Sequence, residues 1–171
     1  VYSIKSKLPI IAVLAVMLSG WFISSCNKGD EELTISSFLT DRDGLWRLAS
    51  LRVETLHGDT SKRRDTLNTD CVFNQTFTFN NDGTCTYENF SCIGQTTKGN
   101  WELTTTDSVI FRSNMVSKDT TKAGTGMPFA KAQVLNLGQN SLVLQVVKTD
   151  TFLRRPLVVL RRRISNYGFI R

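Results

Sequence analysis

Four cysteines and one histidine are the most chemically versatile residues in this chain of 171. Cys26 ends an apolar run. Cys71, Cys85 and Cys92 share one aromatic-rich stretch, and His57 opens a charged one. A structural zinc site wants four Cys or His ligands, with pairs a few residues apart. Cys71, Cys85, Cys92 and His57 include no Cys-x-x-Cys, so no metal site is expected. In an oxidising compartment cysteines pair instead. Three is an odd number, so one is left over. Residues 71–103 turn at Asn80-Asn81-Asp82-Gly83, the strongest hairpin signal in the chain. In an antiparallel hairpin centred on Asn81-Asp82, Cys71 and Cys92 stand equally far from the turn and therefore near each other across the ladder. A Cys71–Cys92 disulfide is expected. In that register Cys85 faces Thr78 and is expected to be a buried free thiol, because an unpaired Cys behaves as a small hydrophobe.

Catalysis finds no constellation. His57 is the only histidine, and no Gly-x-Ser-x-Gly elbow is present. Gly124-Thr125-Gly126 carries Phe129 where a dinucleotide fingerprint has its third glycine. The acids are scattered through polar segments, as on a solvated surface. The expectation is no enzyme, no cofactor and no catalytic residue.

The first 25 residues have the anatomy of a secretory signal: Lys5 and Lys7, an apolar run over 8–23, then Ser24 and Ser25. The run is short for a membrane-spanning helix, which wants about 20 residues. Ile23-Ser24-Ser25-Cys26 resembles the lipobox of bacterial lipoproteins. The resemblance implies that Cys26 is lipidated and becomes the first mature residue. Two acyl chains then hold the protein on a membrane. Asn27 is not the Asp that retains some lipoproteins at the inner membrane. Asp30-Glu31-Glu32 resembles short acidic signals for export to the cell surface. The expected address is the outer membrane, on its periplasmic or cell-surface face. Residues 26–43 read as the lipidated Cys, a polar tether and a short helix or turn with Ile35, Phe38 and Leu39 on one side.

From Gly44 onward the chain alternates in short strands. They are expected over residues 46–53, 72–79, 84–90, 98–104, 108–113, 130–137, 141–148 and 156–163. A phase change at Ala49-Ser50 predicts a bulge. Residues 57–70 and 114–129 read as loops, the second a lid or simply mobile. Residues 164–171 read as a tail. Eight strands with local turns make an all-β domain, a sandwich or an up-and-down barrel. Sequential hairpins favour the barrel, because closure removes exposed edges.

Gly44-Leu45-Trp46 resembles the Gly-x-Trp that opens lipocalins. Phe79-Asn80-Asn81-Asp82-Gly83, Cys92, Gly99-Asn100-Trp101 and the Leu142-Val143-Leu144 strand resemble the lipocalin-like lipoproteins of bacteria. The likeness covers roughly residues 40–163. It implies an eight-stranded antiparallel up-and-down barrel over 44–163 whose opening Trp packs against a basic residue near the last strand, here Arg161 or Arg163. It also implies an interior able to take a small apolar ligand, and Phe77, Phe79, Tyr87, Trp101 and Phe111 are the candidate lining. The same rings, with Trp46 and Phe73, equally suit a core that fills a small barrel.

Two functions therefore stand side by side. One is a lipid-anchored carrier of a small apolar or glycan ligand. The other is a filled barrel serving as an interaction or structural subunit beside an envelope protein partner. A third, an inhibitor presenting loop 114–129, rests on that loop's length. Without residues 1–25 the chain has 19 basic and 15 acidic residues, a balance of +4. The late arginines, Arg154, Arg155 and Arg161 to Arg163, read as a charged strand edge or a patch for lipopolysaccharide or another polyanion. Nucleic acid is not an expected partner. Asp65-Thr66-Leu67, Asp107-Ser108-Val109 and, loosely, Asp119-Thr120-Thr121 resemble O-glycosylation sites of some envelope proteins.

Overall fold

A computed structural model describes residues 28–67, 71–119, 122–154 and 157–171. Cys26 and the leader lie outside the described residues. The chain enters through helix α1 (Lys28–Thr40) and a 3-10 turn (Arg42–Gly44). Eleven strands follow: β1 (Leu45–His57), β2 (Thr60–Leu67), β3 (Thr76–Phe79), β4 (Thr84–Glu88), β5 (Thr96–Thr105), β6 (Val109–Ser113), β7 (Ser117–Asp119), β8 (Lys122–Gly126), β9 (Ala132–Leu137), β10 (Ser141–Arg154) and β11 (Leu157–Ile170).

Eight of them close a barrel. The order β1-β3-β4-β5-β6-β9-β10-β11 returns to β1 through antiparallel β1–β11 pairing, so each barrel strand neighbours the next in sequence. This is the all-β up-and-down barrel of lipocalin-like form, with a helix before it. Two hairpins are grafted on. β7 and β8 pair only with each other, and β2 pairs along the far half of β1.

The structure revises several sequence boundaries. Residues 60–67, expected as loop, form β2, and part of the 114–129 loop is the β7–β8 hairpin. Val72 and Phe73 precede β3 and are exposed, so Phe73 does not join Phe77 and Phe79 on the core face. The largest change is at the end of the chain. Residues 164–170, expected as a tail, complete β11 and close the barrel, with Phe169 buried.

The expected bulge is present: β1 shifts register against β11 between Leu48 and Ser50. Trp46 and Leu48 point inward before it and Val53 after it. Ser50 is tucked against Gly168, where a Cβ would lie 2.5 Å from the Ser50 hydroxyl oxygen. Gly44 is equally constrained. Its φ is +61°, and a Cβ there would sit 1.9 Å from the Phe79 carbonyl oxygen. That close approach of the backbone explains the glycine two residues before Trp46.

β1, β10 and β11 are longer than the barrel needs. β10 pairs with β9 only over residues 142–145, yet its ladder with β11 runs to Arg154–Leu157. Beyond the barrel rim, β2, β1, β11 and β10 continue as a four-stranded antiparallel blade. Its last part, past the β1–β2 turn at Gly58, is a two-stranded finger.

Candidate functional site

Four places in this fold gather side chains capable of binding: the barrel interior, the rim that carries the disulfide, an open cleft and the blade.

Aromatic rings occupy the interior. Phe77 sits at its centre, with centroids of Phe79, Tyr87, Phe129, Phe111 and Phe169 at 4.2, 5.0, 5.3, 5.8 and 6.0 Å. Such spacings are those of rings in direct contact. Leu103, Met115, Leu142, Leu144 and Val146 complete the cluster. Phe77, Phe79, Tyr87 and Phe111 thus come together as the sequence suggests. Trp101 lies at their edge. It shares the inward face of β5 with Leu103 and packs against the cluster beside Phe79, but it is only half-buried, and its indole N–H donates to the Asn80 carbonyl at 3.2 Å. Met115 and Phe129 are interior residues that sequence reading missed. Each lies beside the β7–β8 hairpin and turns back into the barrel.

At the floor, Trp46 lies under α1. Its indole N–H donates to the Leu39 carbonyl at 2.9 Å. The basic partner is Arg171, neither Arg161 nor Arg163. Its guanidinium stands 4.3 Å over the Trp46 ring, donates to the Phe38 carbonyl at 2.5 Å and pairs with Asp41 at 3.1 Å. The cation therefore stacks on the indole and satisfies a carbonyl in the last turn of α1. Arg161 and Arg163 are too far along β11 for this. They pair with His57 and Thr55, at the far end of β1 from Trp46.

The rim holds the Cys71–Cys92 disulfide, Cα to Cα 5.3 Å. The hairpin pairs Phe77 with Tyr87 and Phe79 with Cys85, so its turn centres on Asp82, and Cys85 faces Phe79 where Thr78 was expected. The cysteines still meet because the ladder stops at Thr76–Glu88 and a 3-10 turn (Phe90–Cys92) shortens the second arm. Asn89, Ser91 and Cys92 there all have φ near +58°. Cys85 is a buried free thiol 3.3 Å from the Ser113 hydroxyl. Burial pushes its pKa up, against a smaller opposing effect of that hydroxyl. Gln75, the residue just before β3, is buried beside the disulfide. Its amide oxygen accepts from the Ser91 N–H at 3.0 Å and the Tyr87 hydroxyl at 3.4 Å, and its amide nitrogen donates to Cys71 Sγ at 3.4 Å. Nearby, burial raises the phenol of Tyr167 to about 12, helped by the Asp119 carboxylate and opposed by Arg163.

At the edge of the cluster Trp101, Glu102, Arg112, Asn114, Met127 and Ala130 line an open cleft of about 350 Å³. Glu102 and Arg112 face each other at 3.8 Å.

The blade differs in chemistry. Residues 52–67 and 147–163 carry ten Lys or Arg against four Asp or Glu, while the rest of the chain is balanced at eleven of each. All four acids meet an arginine: Glu54–Arg64, Asp65–Arg63, Asp59–Arg162 and Asp150–Arg161. A net excess of six positive charges remains. The finger also exposes Leu157, Val158 and Leu160, at 68, 65 and 44%.

Among the described residues no group of three or more His, Cys, Asp or Glu converges on a common point, and no helix is long and apolar enough to cross a membrane. His57 packs against Phe152, 4.8 Å between centroids. The class this geometry defines is a closed eight-stranded antiparallel barrel with a basic blade. Comparison with protein-family models, curated proteins and solved structures finds no match to this chain.

Proposed function

We propose that this chain is a lipid-anchored protein of the outer membrane whose filled barrel is a rigid support, and that its work is done by outer surfaces in contact with another component of the envelope. The single observation that carries this reading is the interior. Phe77 touches five rings, and the central side chains are 0–1% exposed. Interiors packed in this way leave few voids larger than a water molecule. A carrier would need several hundred cubic ångströms there for a drug-sized cargo, a volume typical of ligand pockets. The reading involves no catalytic step and no cofactor. Lipidation at Cys26 rests on the lipobox resemblance and would set the acyl chains just before α1, which takes up the stretch from Lys28 onward that reads as a tether.

The test is a native mass spectrum of the protein purified gently from its own envelope. The mass of polypeptide plus lipid alone, unchanged after exposure to envelope lipid extract, supports the filled barrel. A reproducible small-molecule adduct lost on denaturation overturns it in favour of a carrier. The cleft beside Trp101 supports a second reading, a small ligand held at the edge of the packed interior, because an indole and a Glu102–Arg112 pair line one concavity. An adduct that disappears in Trp101→Ala, with the barrel core unaltered, would assign it there.

A further inference from the structure

The blade has two open edges, and they are not alike. β2 forms one and pairs only with β1. β10 forms the other. β9 accompanies it as far as Gln145, and beyond that, among the described strands, only β11 pairs with it. An open edge is a row of backbone donors and acceptors ready for another strand. Along β2, Lys62, Arg63 and Arg64 stand consecutively. Charge of one sign is a way natural sheets blunt such an edge. Along β10 the open stretch reads Val147-Lys148-Thr149-Asp150-Thr151, and all of it is exposed. β-Branched residues, which suit strands, occupy 147, 149 and 151. Opposite charges stand one on each side of Thr149.

This stretch is its own complement. A second copy laid antiparallel, with Thr149 opposite Thr149, sets Lys148 against the partner's Asp150 and Val147 against the partner's Thr151. Directly opposed residues share a face, so both charge pairs lie on one side of the sheet and the β-branched row on the other. A slip of one residue turns every side chain to the wrong face. A slip of two sets Lys148 against Lys148 or Asp150 against Asp150, and like charges directly opposed destabilise a pair. Longer slips meet β9 at Gln145 on the barrel side, or leave Asp150 opposite Phe152 on the other.

From this self-complementarity we infer that β10 is a dimerisation edge, where residues 147–151 of two copies pair antiparallel about a two-fold axis at Thr149 and join two blades into one sheet. A two-fold contact of this kind closes on itself, so assembly stops at two. The cations of β2 guard the outer edges of the joined sheet. Two further features of the blade fit. Lys148 stands opposite Arg163 in the β10–β11 ladder, cation beside cation, and the partner's Asp150 on its other side offsets that repulsion. On the other face Val147 and Leu160 are exposed apolar side chains. The pairing draws them into one row, which runs Ile164, Val147, the partner's Thr151 and the partner's Leu160. The inference goes beyond the proposed function and does not depend on it. A cargo adduct would overturn the filled barrel and leave the paired edges standing.

The seam is short, so the association is of the weak, reversible class, and a cross-link captures it. The test uses the full chain carrying Cys26→Ser, purified in mild detergent. Cys71 and Cys92 are joined and Cys85 is buried, so an added cysteine is the reactive thiol among the described residues. Under mild oxidation Thr149→Cys should give a covalent dimer, because directly opposed strand residues stand within disulfide reach. Val147→Cys and Thr151→Cys should each stay monomeric alone and should dimerise when mixed. Adding Lys148→Asp sets acid against acid twice and should slow the link at 149 about tenfold. Adding Asp150→Lys as well should restore the rate. Random collision in a shared micelle links all three positions alike. That result, the absence of a dimer at 149, or a rate there that Lys148→Asp leaves unchanged or the swap fails to restore, would overturn the inference.

Discussion

Strands β1, β10 and β11 run from the barrel into the blade without a break, yet the same three backbones meet opposite surroundings. Within the barrel, Leu48, Phe169 and Leu142 stand side by side and are buried. Farther along, His57, Arg161 and Asp150 occupy the equivalent row in the blade. Strand pairing is therefore not what distinguishes them. Side-chain burial is: in the barrel it supplies most of the stability, while the blade is held by its ladder, four exposed ion pairs and a few half-buried side chains. Exposed pairs of that kind are individually worth little. The barrel is a region whose sequence is constrained by packing, and the blade one whose sequence is free to serve a surface.

The largest expected effect would separate the two regions by substitution. Phe77→Ala should cost about 3–5 kcal/mol in urea unfolding, from lost burial and the cavity left among five rings. Val158→Ser on the finger should stay within about 0.5 kcal/mol. Comparable losses from both would break the comparison, because the finger would then be part of the core.

Next in size is the disulfide. Cys71→Ser with Cys92→Ser opens a link of sequence separation 21. It should cost about 3 kcal/mol by the chain-entropy account. Calorimetry of the double variant checks this, and an unchanged midpoint would show that the rim link adds nothing to the barrel.

The last effect appears only at high pH. Burial raises the phenols of Tyr87 and Tyr167, the latter to about 12. An unfolded tyrosine titrates near 10, as does a model phenol. The folded state then holds more protons than the unfolded one above pH 10. Stability is full below that point and falls as pH rises toward 12. The urea midpoint should decline over this window, with tyrosinate absorbance from these two residues appearing only on unfolding. A midpoint flat between pH 10 and 12 would place both phenols in water.

Much of the barrel was legible in the sequence because its signals are local. Alternation marks the strands, Asn80 to Gly83 marks the tightest turn, and the phase shift at Ala49-Ser50 marks the bulge. Asp82 shows how local the turn is. It accepts from the hydroxyl and the N–H of Thr84, at 2.6 and 2.9 Å, and these bonds hold its carboxyl below the usual range. What was not legible depends on partners far away in sequence. β2 reads as loop because Lys62, Arg63 and Arg64 interrupt any apolar pattern, and it is a strand only because β1 offers it an edge. Residues 164–170 read as a tail because Asn166 and Gly168 dilute the alternation of Tyr167 and Phe169. Gly168 is there to admit Ser50, some 118 positions earlier. Arg171 was overlooked as the partner of Trp46 for the same reason. Of the five candidate lining residues, Phe77, Phe79, Tyr87 and Phe111 are fully buried, and Trp101, on the same face of β5 as Leu103, is half-buried at the edge of the cluster, a difference that alternation does not report.

The closing pair, β1 with β11, has a consequence for how the molecule is made. Its residues are more than a hundred positions apart, so the barrel has no closed intermediate until residues 157–170 are present. The β3–β4 hairpin and the Cys71–Cys92 link are short-range and can form as soon as the chain reaches them. Non-local pairing of the β1–β11 kind is slow to find. Until it does, β1 and β10 each present an unpaired edge, the kind of surface on which other chains aggregate. The time between emergence of β1 and arrival of β11 is therefore the window in which this protein most needs protection from its neighbours.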